Sequence, residues 1–229
     1  MKRMASASLW AGSVATAAVV YALAGAVPLS AQGRTQGLHL GGGWVGGLLV
    51  GDASDFLDGG SGPWISLEWR GERRASLGAT VTAEWVRLAD DTDELTGARA
   101  RNSLLSASAG PTLGVWLGPV RPWVGGFAGV TLSRWSTEWS GQRGRGSASA
   151  FAWGAGAGLQ VRLTAGNHPV SIGGEARLTD TGTLSFARAP AFDPPPAPTG
   201  LISRDVALLS LRVGVSVTLG RRVQTRAET

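Results

Sequence analysis

The groups in this chain most able to do chemistry are charged side chains set two residues apart inside otherwise apolar stretches. Glu68 and Arg70, Glu84, Gln160 and Arg162, Glu175 and Arg177, and Arg212 all share the polar parity of alternating segments. In an extended strand, residues two apart lie on one face. Acids and arginines gathered on an enclosed face can neutralise one another as ion pairs, line a narrow ion path, or serve as acid–base carboxylates. Mutual neutralisation is the simplest expectation: a polar plug. Pairing Glu84 with Glu175 for catalysis would require a strand register that spacing alone does not provide.

Nucleophilic and metal chemistry have thinner support. The chain has two histidines, His39 and His168, and no cysteine, which excludes disulfides and thiolate metal or redox sites. Ser171 and Glu175 follow His168, so a His-Ser-Glu set can be drawn. No hydrolase motif surrounds it, and an exposed turn histidine explains His168 as well. The Asp52, Asp55, Asp58 and Asp90, Asp91, Asp93 clusters lack a calcium-loop spacing. No catalytic residue, metal or cofactor is therefore expected. The 229 residues carry 21 basic and 16 acidic groups. That excess is small and scattered, which argues against a nucleic-acid partner.

The N-terminus reads as an export signal. Lys2 and Arg3 precede the alanine-rich apolar run Ala11 to Val27, and Pro28-Leu29-Ser30-Ala31 offers small residues for cleavage. We expect residues 1–31 to be removed, 32–220 to form one domain, and 221–229 to be a polar tail. No later run is long and apolar enough for a spanning helix.

The elements that must position the charged groups are strands of unusual length. In Phe151 to Leu163, FAWGAGAGLQVRL, the odd positions are apolar and the even ones glycine, alanine, Gln160 and Arg162. At roughly 3.3 Å per residue this strand is about 40 Å long, suited to a barrel wall in a membrane. Similar alternation marks 37–50, 63–70, 74–88, 103–117, 169–180 and 204–219. The segment 121–135 has muddled parity, with Val124, Ala128, Val130 and Leu132 against Trp123, Phe127 and Trp135. Polar loops are expected at 51–62, 89–102, 136–148 and 181–203, the last carrying Asp193-Pro194-Pro195-Pro196. The count is eight strands, with connections alternating long and short. Such a chain forms an all-β, eight-stranded antiparallel transmembrane barrel with both termini periplasmic. Trp64, Trp85, Trp135, Trp139 and Trp153 would lie near the outer rim, and Trp69, Trp116 and Trp123 near the periplasmic rim.

Two motifs add a family resemblance. FAWGAGAGLQVRL resembles the aromatic-Gly-Ala-Gly-Leu-Gln strand of small bacterial outer-membrane barrels of the OmpX and OmpA type. Val120-Arg121-Pro122-Trp123-Val124-Gly125-Gly126-Phe127 is similar to the Arg-Pro-aromatic-Val-Gly strand start of that porin-like superfamily. The resemblance implies export to a cell outer membrane and insertion by the barrel-assembly machinery. Members usually end on an aromatic residue, whereas this chain ends Arg226-Ala227-Glu228-Thr229, so the assembly signal is expected to be either internal, at Val215 to Leu219, or weak. The barrel is expected to be non-enzymatic, with a structural or surface-interaction role and a lumen filled by polar side chains. A small passive pore is the alternative, and a lipid-modifying enzyme the third reading. In the outer loops, Arg99, Arg101, Arg143 and Arg145 would form a cationic rim for phosphates of outer-membrane lipid and lipopolysaccharide.

Overall fold

The computed structural model describes residues 36–50, 54, 57–71, 74–88, 90–92, 97–139, 142–165, 168–188 and 200–219. The expected signal segment 1–31 and the tail 221–229 lie outside them. Nine strands follow in order: β1 (Gln36–Val50), β2 (Gly60–Gly71), β3 (Ala75–Leu88), β4 (Asp91–Thr92), β5 (Arg99–Val115), β6 (Val120–Trp139), β7 (Gln142–Arg162), β8 (Val170–Arg188) and β9 (Gly200–Thr218). Eight of them are barrel staves. Each pairs antiparallel with its neighbours, β3 joins β5 directly, and β1 pairs with β9 to close the cylinder. Two-residue β4 is a spur on Arg99 and Ala100. Closure gives every stave a partner on both sides, which an open sheet in hydrocarbon could not do.

Alternation sorts side chains by solvent. Leu77, Phe151, Leu211 and Val213 are all at least 60% exposed on the outer wall, while Arg70, Glu84, Arg121, Arg177 and Arg212 are buried inside. This is the reverse of a water-soluble barrel. A wall of exposed leucine, valine and tryptophan is stable only against hydrocarbon. At the short-turn end, β5 passes to β6 through Leu117 and Val120, which exchange backbone hydrogen bonds of 2.8 and 3.3 Å. Gly118 takes φ 67° there before Pro119, as a two-residue hairpin turn with glycine first requires.

Three sequence expectations change. The strands run further outward than alternation marks: much of 89–102, 136–148 and 181–203 is sheet, not loop. The muddled parity of 121–135 needs no bulge, because β6 keeps one unbroken register with β7 from Val120↔Val161 to Trp139↔Gln142. Its aromatics Trp123, Phe127 and Trp135 face the lumen, and its aliphatics face out. The tryptophan belts shrink accordingly. Trp64, Trp116, Trp123 and Trp135 turn inward onto lumen side chains. Trp44, Trp85 and Trp153 are exposed on the wall, half-buried Trp69 keeps the outward parity of Ile65 and Leu67, and the side chain of Trp139 lies outside those described.

A register shift interrupts β8 between Thr181 and Thr183. An extra residue there, Gly182, reverses side-chain parity and bends the strand. At the same level β7 stops pairing with β8, its last partners being Ala152↔Thr181. Beyond this point β8 pairs only with β9 and leans across the mouth towards β5 and β6. Ser133 donates to the Ser185 carbonyl at 2.9 Å. Leu184, Phe186, Val206 and Leu208 then bury against Val45, Leu49, Val86, Leu88 and Leu104. The outer part of the lumen is thus apolar, where a polar filling was expected throughout.

Candidate functional site

Below this apolar cap the lumen holds two ionic clusters. In the upper one, Glu84 of β3 pairs with Arg212 of β9. Arg212 also donates to Glu175 of β8 at 2.9 Å, and Glu175 lies 2.6 Å from Arg177. Aromatic rings complete the packing: Arg177 sits 4.8 Å from the Phe127 centroid and Arg212 6.0 Å from that of Trp64. Two carboxylates here face two guanidiniums, so the cluster is neutral.

The lower cluster is not. Glu68 of β2 binds Arg70 at 2.8 Å and Arg121 of β6 at 3.2 Å, and accepts from Thr112 at 3.2 Å. Arg70 donates to Gln160 at 2.6 Å and meets His39 Nδ1 at 3.1 Å. Gln160 donates on to Ser216 at 2.7 Å. Arg162 pairs with no carboxylate among the described residues and stacks instead over Trp116, 4.2 Å from its centroid. The guanidinium of Arg121 needs the space left by Gly114, where a Cβ would stand 2.5 Å from Nε. Between the clusters lies a cavity of about 80 Å³ bordered by Glu68, Thr80, Gln160, Glu175, Arg177 and Arg212. Charged and hydroxyl groups share its lining with Trp64 and Trp123, and it is of a size for a few bridging waters.

All eight residues expected at the lumen stand on its inner face or at its periplasmic mouth. Seven of them interconnect within the two clusters; Arg162 does so only through Trp116. Sequence reasoning missed Arg121, whose parity was hidden by the aromatics beside it, and the role of His39 as a hydrogen-bond partner of Arg70 and Thr218. It also missed the rings that cover the guanidiniums. Arg-Pro at the start of β6 was the available signal for Arg121.

The nucleophile set does not assemble among the described residues. His39 and His168 both meet Thr218, but no hydrogen bond joins either to Ser171. Glu84 and Glu175 do converge, on Arg212, and both are ion-paired there. Of the aspartate clusters, Asp90 is taken by Arg87 and Arg101 at 2.9 and 3.4 Å. Asp52, Asp55 and Asp93 lie outside the described residues.

On the outside of the long-hairpin end, Arg99, Arg101, Arg143 and Arg145 come together. Cross-strand register sets them in two rows over β5, β6 and β7: Arg99–Glu138–Arg143 and, next to it, Arg101–Ser136–Arg145. They border one shallow depression of about 190 Å³. Glu138 accepts from Arg143 at 3.1 Å and Asp90 meets Arg101, so among the described side chains four exposed guanidiniums are met by two carboxylates.

A closed eight-strand antiparallel barrel with an apolar outer wall and a charged interior defines a small outer-membrane β-barrel, of the kind the two sequence motifs resemble. In shape the chain is similar to Neisserial surface protein A, with a TM-score of 0.50 and 15% identity over 81% of this chain and 99% of that one. It is also similar to Ail, the attachment invasion locus protein of Yersinia pestis (TM-score 0.49, 15% identity, 81% and 99% covered). A third similar structure is the outer membrane protease OmpT of Escherichia coli (TM-score 0.42, 9% identity, 82% and 99% covered). These likenesses concern the fold. No protein-family model matches the sequence, and no curated protein matches it.

Proposed function

We propose that this barrel is a closed, non-catalytic outer-membrane protein whose outer arginine rows hold phosphates of lipopolysaccharide. The observation that carries this reading is the pair of cross-strand rows, Arg99–Glu138–Arg143 and Arg101–Ser136–Arg145. Guanidinium forks bind phosphate oxygens in bidentate fashion, and four of them on a strand-built surface need little rearrangement to do so. The rows lie beyond Phe151 and Leu105, the outermost large apolar residues exposed on β7 and β5, on the polar side of the apolar belt. Closure of the lumen by paired charges and an apolar cap favours a scaffold over a pore. Locking of Glu84 and Glu175 in ion pairs leaves neither carboxylate free for acid–base work.

Charge reversal at Arg99, Arg101, Arg143 and Arg145 tests the reading. Lipopolysaccharide co-purifying with the barrel should fall, and outer-membrane permeability to a hydrophobic dye should rise. Unchanged values of both would overturn it. Planar-bilayer recording on the wild-type protein should show no steady conductance; a regular open-channel current would restore the pore reading.

A further inference from the structure

The membrane wall carries a second feature, on the far side of β5 from most of the arginine rows. At one level the outward residues across four strands are Leu211 of β9, Gly46 of β1, Ser61 of β2 and Arg87 of β3, matched by register. Two neighbours in that row, Gly46 and Ser61, have almost no side chain. The level below carries Trp44 and Trp85, 56% and 45% exposed, and the level above Leu48, 59% exposed. Small floor and tall walls make an open trough of about 940 Å³. A Cβ at Gly46 would meet nothing within 4 Å, so packing does not demand glycine there.

One end of the trough is charged. Arg87, at its rim, binds Asp90 at 2.9 Å, and Arg101 reaches the same carboxylate oxygen at 3.4 Å. Among the described side chains there, two exposed guanidiniums share one carboxylate, a positive excess where the hydrocarbon ends. Arg101 also belongs to the rows described above, so the two surfaces are continuous. An apolar trough with a cationic end is complementary to an acyl chain that bears a phosphate at its head.

We propose that the Gly46–Ser61 trough seats one acyl chain of a lipid A molecule of the outer leaflet, with its phosphate on Arg87 and Arg101. This rests on the lipopolysaccharide reading for the chemistry of the headgroup and adds the place and orientation of its chain. The tryptophans grip the chain by dispersion contact; glycine at 46 provides the depth.

The test uses the full barrel in nanodiscs of phosphatidylcholine containing a small fraction of hexa-acyl, bisphosphorylated lipid A. Retained lipid is counted by native mass spectrometry after detergent release. Wild type should keep lipid A in preference to phosphatidylcholine. Gly46→Leu fills the trough without touching a charge and should cut retention roughly tenfold, the effect of losing about one good contact's worth of affinity. Arg87→Gln should cut it comparably, since a charge-assisted hydrogen bond is lost. Heat-modifiable gel mobility shows that each variant is folded. Retention by Gly46→Leu equal to wild type overturns the trough, as does equal retention of phosphatidylcholine and lipid A. The charge-reversed variant at Arg99, Arg143 and Arg145, which leaves Arg87 and Arg101 intact, separates the two proposals. If it retains lipid A while Gly46→Leu does not, the rows fail and the trough stands; the opposite pattern overturns the trough alone.

Discussion

Asn102 and Ala187 face one another across the barrel mouth and exchange two hydrogen bonds. The Asn102 amide donates to the Ala187 carbonyl at 2.8 Å, and the Ala187 N–H donates to Oδ1 at 3.0 Å. One side chain thereby does for a backbone residue what a neighbouring strand would do, eighty-five residues away in sequence. Its carboxamide offers the donor and the acceptor that a peptide unit presents. Ala187 is buried with Ala98 and Ala100 against Trp135, so water cannot replace Asn102 there.

Asn102→Leu should therefore release the β8–β9 hairpin from the mouth. It strands a buried N–H and carbonyl, at about 1–3 kcal/mol each. The expected outcome is local: faster proteolysis within 183–206 and a lower urea midpoint for that loss. The membrane portion should keep its heat-modifiable mobility. Equal protease resistance in variant and wild type would refute the clasp.

Deleting Gly182 tests the other device that folds the hairpin inward. Parity along β8 reverses at this residue: Arg177, Thr179 and Thr181 face in before it, Leu184 and Phe186 after it. A one-residue change of register moves a whole side-chain set to the opposite face. Without Gly182, Phe186 should turn outward and leave the cap. A fluorescent reporter that partitions to exposed apolar surface should bind the variant above the membrane level and ignore wild type. Equal binding to both would show that the extra residue does not direct the cap.

The lumen clusters make a stability prediction with a sign. Arg212→Met removes the only cation bonded to Glu84 among the described residues and one of two bonded to Glu175. Breaking a buried pair on one side leaves an uncompensated charge and costs about 3–5 kcal/mol. Adding Glu84→Gln to that variant should restore part of the loss, because the remaining partner is then neutral. The unfolding midpoint in detergent measures both. Additive losses in the double variant would mean that the two groups are not coupled.

How far the sequence was legible follows the solvent. Inside the membrane, hydrocarbon on one side and charge on the other impose strict alternation, so FAWGAGAGLQVRL could be read as a wall and Gln160 as an inward group without a structure. Beyond the belt both faces of a strand meet water or other protein. Arg143, Gly144, Arg145 and Gly146 then alternate nothing that hydropathy detects, although they lie well within β7. The cap escaped for a related reason: Leu184 and Phe186 sit in 181–203, read as loop, while Val206 and Leu208 hold the inward parity of 204–219, where a polar filling was expected. Trp64 and Trp123 misled because a large ring on a barrel strand was taken for a belt residue. Here the rings turn onto lumen side chains, a use that depends on which strands meet across the lumen. The cationic rows were legible as residues but not as rows, since only register brings Arg99 beside Glu138 and Glu138 beside Arg143.

Charge in the lumen sets what an opened barrel would pass. Arg70, Arg121, Arg162, Arg177 and Arg212 stand against Glu68, Glu84 and Glu175 on the inner face, so among the described residues cations outnumber anions. The surplus belongs to the lower cluster, where Arg70 and Arg121 share Glu68 and Arg162 meets no carboxylate among the described residues. In a low-dielectric tube such an excess concentrates counter-ions of opposite sign. An Asn102→Leu, Gly182-deleted barrel, with its cap loosened twice over, should therefore conduct chloride in preference to potassium. A salt gradient across a planar bilayer measures this as the sign of the reversal potential. Arg162→Glu, added to that background, removes one cation and supplies one anion close to the periplasmic mouth, where stacking on Trp116 and not an ion pair holds the side chain. The preference should then shrink or invert with little cost to folding. A cation-selective current from the barrel before Arg162 is changed would show that the buried guanidiniums do not govern the path.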